Sequence, residues 1–354
     1  MSQTPVDVLT VGMVTPVGLT APTTAAAVRA GISRVAESSL FCRGMEPQVM
    51  GLLRDSSLPE LRPSLRGGGR TGRHMRMLRL ATWALYEALQ DLPRPPPLVL
   101  ALPDSPLLPG AIGHSFLDDL AVQVEAPIEL ARSEVLRNGR AGALWALARA
   151  LELLPEFGVV VVGGVDSHFD LRLLDTLARR ERLFCGRQSD GFVPGEAAAF
   201  LVLATPAATR RLRRAPLAQI LAVGKATEAG HLESELPHLG DGLAEAVQAV
   251  CFAAPPAAPP VTRVYTGLNG EHVWGKDWGV ACLRSAERLD PAARVLHPVE
   301  FIGDPGAALG AVLASLAALD AGHGDHQGSS LVWCASDLGE RGAALMGPAA
   351  TGRA

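Results

Sequence analysis

Two long segments of this 354-residue chain carry hydrophobic and polar positions in the same order. Residues 138–166 read as a turn, a helix of small apolar residues, a short loop and an apolar strand, and residues 303–337 repeat that order. Both predicted helices are apolar on nearly every face, which is typical of helices buried on all sides. The strands that follow, VVVVGG (159–164) and SSLVWCA (329–335), are continuous apolar runs, as in sheets covered on both faces.

The beginnings of the two halves are also alike. The run VDVLTVGMVTPVG (6–18) is rich in β-forming residues and ends in a Gly/Pro turn before the helix-like TAPTTAAAVRAG (20–31). The run APLAQILAVGKATEAG (215–230) repeats the apolar alternation, the glycine and the small polar residues. We therefore predict an α/β fold of two similar halves, residues 1–208 and 215–354, which form one compact unit with their buried helices between two sheets.

Composition and charge bear on which partners, cross-links and membrane segments the chain is expected to have. The chain is 48% hydrophobic and 19% charged, and its formal net charge of -4 favours neither nucleic acid nor an anionic membrane as a partner. The five cysteines are scattered and odd in number, which favours reduced thiols over disulfides or a zinc site. No basic segment precedes the first apolar run, which Asp7 interrupts, and no apolar run is long enough to span a bilayer. We expect a cytoplasmic protein without a cofactor.

Two polar motifs have both a structural and a functional interpretation. The basic connector TRRLRRAP (209–216) is predicted to be a solvated surface segment rather than a nucleic-acid patch, given the acidic balance elsewhere. His323 and His326, near Cys334, could bind a metal in principle, but a short polar turn between helix and strand explains them better.

Four segments resemble the β-ketoacyl-ACP synthases of the thiolase superfamily, and the similarity covers nearly the whole chain. They are residues 11–35, 73–92, 159–184 and 189–204. The most specific is DGFVPGEAAA (190–199), in which Gly191, Pro194 and Gly195 shape a turn and three alanines let a strand pack closely. The resemblance implies the five-layered αβαβα thiolase fold, made of two pseudo-duplicated halves.

Ketosynthases of that family use a cysteine at a helix N-terminus to accept the acyl group, and two histidines to assist decarboxylation and stabilise the enolate. Aligned on Gly163-Gly164, this chain has Asn138 at the cysteine position. Asn269 in TGLNGEH replaces the first histidine, and Asp304 in FIGDPGAALG replaces the second. Residues 134–154 contain no Cys, Ser or Thr, so a shifted alignment does not restore a nucleophile.

The resemblance therefore implies a catalytically degenerate protein rather than an enzyme. We predict that Asn138 is only the N-cap of the buried helix, because asparagine is among the best capping residues. An alternative is an acyltransferase with a non-standard residue set, such as Asp304 acting as a base near Asn269.

Three segments are also similar to short degenerate synthase-like proteins encoded beside bacterial type VI secretion genes. They are DGFVPGEAAA, LNGEHVWGKDW and HPVEFIGDPGAALG. This similarity implies a non-catalytic adaptor that helps to load or fold a secreted effector on its spike proteins. The alternative is a chain-length-factor-like subunit, whose partners would be an active ketosynthase and an acyl carrier protein.

Two groups of residues are candidates for partner binding. Arg73, Arg76 and Arg79 fall three residues apart on one predicted helix face, which is either solvated or a docking surface for an acidic partner. Glu271 and Trp274 belong to a segment whose aromatic and charged residues suit recognition, or which packs the vacated pocket.

We also predict a homodimer. The superfamily pairs its subunits through a sheet edge, and an unpaired edge strand exposes N–H and C=O groups that invite association. The segment PIELARSEVL (127–136), which leads into Asn138, is the predicted edge strand.

Overall fold

A computed structural model describes residues 3–349 except 42–45, 91, 104–106, 126, 186–187 and 323–327. The first half contains β1 (Val6–Val14), α1 (Ala21–Arg29), β2 (Val35–Phe41), β3 (Pro47–Gly51), α2 (Gly72–Ala88), β4 (Leu98–Ala101), α3 (Phe116–Val124), β5 (Glu134–Leu136), α4 (Gly142–Phe157), β6 (Val159–Ser167), α5 (Leu171–Arg179), β7 (Glu196–Ala204) and α6 (Pro206–Leu212). The second half contains β8 (Ala218–Thr227), α7 (Asp241–Ala253), β9 (Val261–Tyr265), α8 (His272–Arg284), β10 (Arg294–Leu296), α9 (Val299–Ile302), α10 (Leu309–Gly322), β11 (Ser329–Ala335) and β12 (Glu340–Pro348).

The strands of the two halves follow the same path. Ten strands form one mixed sheet in the order β10-β9-β11-β12-β8-β1-β7-β6-β4-β5, and β2 pairs with β3 separately. Each half contributes five strands to this sheet, in the order β5-β4-β6-β7-β1 for the first half and β10-β9-β11-β12-β8 for the second. If each set of five is numbered along the chain, both orders read third, second, fourth, fifth, first. In both parts the fifth strand is antiparallel to its two neighbours, and the other pairs are parallel. The fold is therefore pseudo-duplicated.

The two parts of the sheet are joined where the sequence predicted two separate sheets. Val6, Asp7 and Val8 at the start of β1 pair antiparallel with residues 218–220 of β8. Each half begins with its own edge strand, and these two edges meet. Pairing them satisfies backbone groups that would otherwise be left open.

Five layers follow from how the helices pack. α4 and α10 contact each other and lie between the two parts of the sheet, where one apolar core surrounds them. α2 and α3 cover the outer face of the first part, and α7 and α8 cover that of the second. Every residue of α10 from Leu309 to Ala318 is buried, as the uniformly apolar pattern predicted. None of the helices in the described part of the chain is long and apolar enough to cross a bilayer.

Two glycines bring the backbone of β6 and β7 close to the start of α10. A Cβ on Gly164 would lie 2.6 Å from the carbonyl oxygen of Ala307, and one on Gly195 would lie 2.5 Å from that of Ile302. Backbone hydrogen bonds join the same region, because Gly195 N donates to Asp304 O at 2.8 Å. The DGFVPGEAAA motif therefore forms the support that positions Asp304.

Candidate functional site

The N-termini of α4 and α10 meet at one end of the central layer. A single 3₁₀ turn precedes each helix, Gly139–Ala141 before α4 and Gly306–Ala308 before α10. Both turns begin with a left-handed backbone, with φ of 55° at Gly139 and 53° at Gly306, which glycine adopts without strain. The positive ends of two helix dipoles are thus directed toward the same site.

Asn138 does not cap α4, and the sequence prediction was wrong on this point. Its side chain makes no capping hydrogen bond and instead donates from Nδ2 to Glu340 Oε1 at 3.4 Å. Ser336, which follows β11, provides the cap: its Oγ accepts from Ala141 N at 2.7 Å and donates to Asn138 O at 2.5 Å. The reason is the additional 3₁₀ turn, which moves Asn138 away from the first N–H groups of α4.

Asp304 and Asn269, which the sequence resemblance aligned with the histidine positions of ketosynthases, are in direct contact. Asn269 Nδ2 lies 2.8 Å from Asp304 Oδ2, and Arg140 Nε lies 2.9 Å from the same oxygen. Gly306 N donates to the other carboxylate oxygen at 2.9 Å. Burial by itself would raise the pKa of Asp304, but the charge of Arg140 and the hydrogen bonds outweigh it and hold that pKa below its usual range.

Arg140 is a central residue of the site that sequence reasoning missed. Its guanidinium is buried, donates to the carbonyls of Gly267 and Ala335, and lies 5.2 Å from the centre of the Trp274 ring. These contacts come from three separate segments of the second half. The signal available in the sequence was a charged residue just before the small apolar residues that begin α4.

Glu271 and Trp274 are buried rather than presented to a partner, which corrects the surface interpretation. Trp274 Nε1 donates to Glu271 Oε2 at 3.0 Å, and Arg182 binds both Glu271 oxygens at 2.7 and 2.9 Å. Arg182 also pairs with Asp337 at 2.5 Å. Glu271 and Trp274 are buried with their polar atoms matched inside the protein, as expected if they pack the pocket, whereas His272 and Lys276 of the same segment are exposed.

The arginine face of α2 is not a docking surface either. Arg73 Nη2 lies 2.7 Å from Asp166 Oδ1, and Arg76 makes two hydrogen bonds of 2.6 Å to Glu196. Both guanidinium groups are buried, and Arg79 is half-buried and ion-paired. Carboxylates of β6 and β7 lie opposite this face, so it turns inward.

These groups surround a small cavity with a polar floor and an apolar wall. The space open to the centre of a water molecule is about 80 Å³, enough for a few waters. The wall is formed by Leu107, Leu173, Leu177, Phe192 and Leu338. His168 also lines the cavity, and its Nδ1 lies 3.1 Å from Gly195 O, so this nitrogen carries the proton. No sequence pattern had singled out His168.

Among the residues that the structure describes at or beside the cavity, Ser336 and Cys334 carry nucleophilic atoms, and their surroundings activate neither of them. Ser336 uses its hydroxyl in two hydrogen bonds to backbone groups, with no histidine or carboxylate to accept its proton. Cys334 is fully buried, and burial raises the pKa of its thiol to about 12. A thiol with that pKa is almost entirely protonated at neutral pH, which makes Cys334 a poor nucleophile.

Apart from the segments left undescribed, no three His, Cys, Asp or Glu side chains are arranged to hold a metal ion. His323 and His326 lie outside the described residues.

No protein-family model and no curated protein matches the chain. Solved structures do match. One is the ketosynthase from module 6 of the bacillaene synthase of Bacillus subtilis 168, with a TM-score of 0.79, 12% identity, and coverage of 97% of this chain and 72% of that one. Another is the ishigamide ketosynthase/chain length factor, with a TM-score of 0.72, 18% identity, and coverage of 97% and 99%. A third is a ketosynthase in complex with its chain length factor from Xenorhabdus doucetiae, with a TM-score of 0.74, 16% identity, and coverage of 97% and 98%. The chain thus has the ketosynthase/thiolase fold.

Proposed function

We propose that this chain is a non-catalytic subunit with the ketosynthase fold, and that it acts by binding a protein partner. One observation carries the proposal. The positions that resemble the family's cysteine and histidines hold Asn138, Asn269 and Asp304, and the last two belong to a closed network of buried charges and hydrogen bonds. Each carboxylate in that network already has a guanidinium partner.

The network leaves little for condensation chemistry to use. Positioned general acids and bases typically contribute 10²–10⁴-fold each, and removing one donor to a developing oxyanion costs about 10²–10³-fold. Here the nucleophile and both histidines are replaced together. Asp304 is a poor general base, because both of its oxygens are hydrogen-bonded and its pKa is lowered. These facts weigh against an acyltransferase that works through Asp304.

A ketosynthase is the partner that the comparisons favour. Two of the similar structures contain a ketosynthase and a chain length factor. A chain of the same fold that lacks the catalytic groups fits the role of the chain length factor. The partner would then supply the chemistry, and this chain would shape the space available to its product.

A secretion adaptor is the second candidate. It is favoured by the resemblance of DGFVPGEAAA, LNGEHVWGKDW and HPVEFIGDPGAALG to proteins encoded beside type VI secretion genes. Affinity purification of the tagged chain from its native cell, with identification of the co-purified proteins, separates the candidates. A ketosynthase or carrier protein supports the first, whereas an effector or spike protein supports the second.

The absence of catalysis is tested with malonyl- and acyl-carrier substrates. We expect carbon dioxide release and condensation product at the level of a no-protein blank. The variant Asn138→Cys should also stay at that level, because its transition state would still lack the histidine donors. Clear turnover by the unmodified chain would overturn the proposal.

A further inference from the structure

Four arginines stand within five positions at the junction of the two halves. Arg210, Arg211, Arg213 and Arg214, here called the arginine cluster, lie in the last turn of α6 and directly after it. Arg210, Arg211 and Arg213 are exposed, and none of the three has an ion pair with another residue that the structure describes. Arg214 is half-buried and donates to the carbonyl of Gln90 at 3.1 Å.

Arg213 is the C-cap of α6, where a left-handed backbone with φ of 53° ends the helix. Glu125 and Glu181 have the same left-handed backbone, so this conformation belongs to the turn of the chain.

Helix dipoles account for only part of the positive charge. The cluster lies at the C-terminus of α6, Arg211 Nη2 is close to Gly158 at the C-terminus of α4, and Arg214 binds the carbonyl of Gln90 just after α2. Each helix C-terminus carries roughly half a negative charge. The C-termini of α6 and α4 together offset about one of the three exposed guanidinium charges of Arg210, Arg211 and Arg213, so an excess of positive charge faces solvent.

The cluster is also separate from the cavity. Gly158 marks the end of α4 that the cluster approaches, whereas Arg140 stands at the other end beside Asp304. A helix of 16 residues is about 24 Å long, so a partner bound at the cluster would not cover the cavity.

We propose that the arginine cluster binds an acidic segment of a protein partner, a short run of Asp and Glu residues. Guanidinium groups suit carboxylates because they offer paired donors in a plane. A nucleic acid fits less well, since its charge continues along its length and would meet the rest of a chain whose net charge is -4. This surface would serve a partner whether or not the cavity is catalytic.

The test measures binding of a fluorescent hexaglutamate peptide to the full chain at low ionic strength. The triple variant Arg210→Gln, Arg211→Gln, Arg213→Gln should bind about tenfold more weakly, since each exposed charge contributes a few tenths of a kcal/mol to about 1 kcal/mol. The matched control changes Arg34, Arg172 and Arg294 to Gln; these are also exposed arginines, in the segment before β2, in α5 and in β10, and carry the same total charge. The control should bind like the unmodified chain.

Three results would overturn the proposal. They are an equal loss of affinity in the control, binding that does not weaken as salt is added, and tighter binding of an oligonucleotide with the same charge as the peptide. If the glutamine triple variant fails to fold, the same three arginines are changed to lysine, which keeps the charge. Loss of peptide binding in a folded lysine variant would then contradict a charge-based surface. Failure of this test leaves the activity assay unaffected.

Discussion

At the residue scale, one hydroxyl group connects the two halves at the start of the buried helix α4. Ser336 accepts from Ala141 N in a buried hydrogen bond and donates to Asn138 O. Ser336→Ala should therefore destabilise the chain by about 1–2 kcal/mol, as for a lost helix cap. Asn138→Ala should cost only a few tenths, because its side chain makes one long hydrogen bond. Denaturant unfolding of both variants checks the order, and a larger loss for Asn138→Ala would contradict this account of the cap.

The pair of Asp304 and Arg140 should have a larger effect on stability. Asp304→Ala leaves a buried guanidinium without its carboxylate, which typically costs about 3–5 kcal/mol. The control is Asp175→Ala, whose partner Arg179 is exposed, and it should cost no more than about 1 kcal/mol. Denaturant unfolding compares the two variants. Equal losses would mean that the buried pair has no special role.

The sign of the pH effect at Asp304 follows from its lowered pKa. The folded carboxyl stays ionised below the usual value of 3.8. Its contribution to stability is present above pH 3.8 and is lost as the pH falls through the lower pKa of the folded state.

At the scale of elements, His74 links α2 to α3 and to the loop between β4 and α3. Its Nε2 lies 3.0 Å from Asp119 Oδ2, and its Nδ1 accepts from Gly113 N at 3.2 Å. Burial and nearby positive charges lower the pKa of His74 below its usual 6.5, although Asp119 opposes them. The folded chain therefore holds His74 neutral, and the unfolded chain binds a proton more readily.

Stability should consequently fall as the pH is lowered from 6.5 toward the folded-state pKa of His74, and this contribution is fully present above 6.5. The variant His74→Gln should flatten the pH dependence in that window. His114→Gln is the control, because His114 is exposed in the same loop. Thermal unfolding over a pH series checks the prediction. An unchanged slope in His74→Gln would show that another group titrates there.

The elements themselves were largely predictable from local pattern. The helices α4 and α10 and the apolar strands after them follow from sequence alone, and α10 is buried along most of its length as its uniformly apolar run predicted. The prediction that α4 is also buried on all sides was wrong, because Glu152, Pro155 and Glu156 in its second half are exposed. The length of the edge strand was predicted wrongly. Only Glu134–Leu136 of the predicted 127–136 is a strand, and a 3₁₀ turn at Leu130–Arg132 precedes it.

The charged network could not be predicted in the same way. Its pairs join positions far apart in the chain, such as Arg182 with Glu271 and Arg140 with Asp304. A local pattern shows a charged residue but not the charge that will face it. For this reason Arg73, Arg76, Glu271 and Trp274 were interpreted as surface residues although they are buried.

At the scale of the whole molecule, β5 forms one open end of the ten-stranded sheet. Leu136 O accepts from Leu102 N on the inner side, so strand alternation directs the N–H and C=O of Val135 outward. We expect a dimer through this edge, and Val135→Pro should convert it to a monomer by removing the outward donor. Val135→Ala keeps the donor and should remain dimeric. The homodimer would be contradicted if light scattering found the unmodified chain to be monomeric at micromolar concentration. If the chain instead forms a heterodimer through this edge, Val135→Pro should disrupt it and Val135→Ala should not.

The central claim is that no group in the cavity forms a bond with an acyl substrate. Its most direct test is the intact mass of the protein after incubation with a series of acyl-carrier and acyl-coenzyme A donors, with an active ketosynthase as the positive control. The account predicts that the control gains the mass of the acyl group and that this chain does not, for any donor length. An acyl adduct mapped by peptide mass to Ser336, Cys334 or another cavity residue would contradict it.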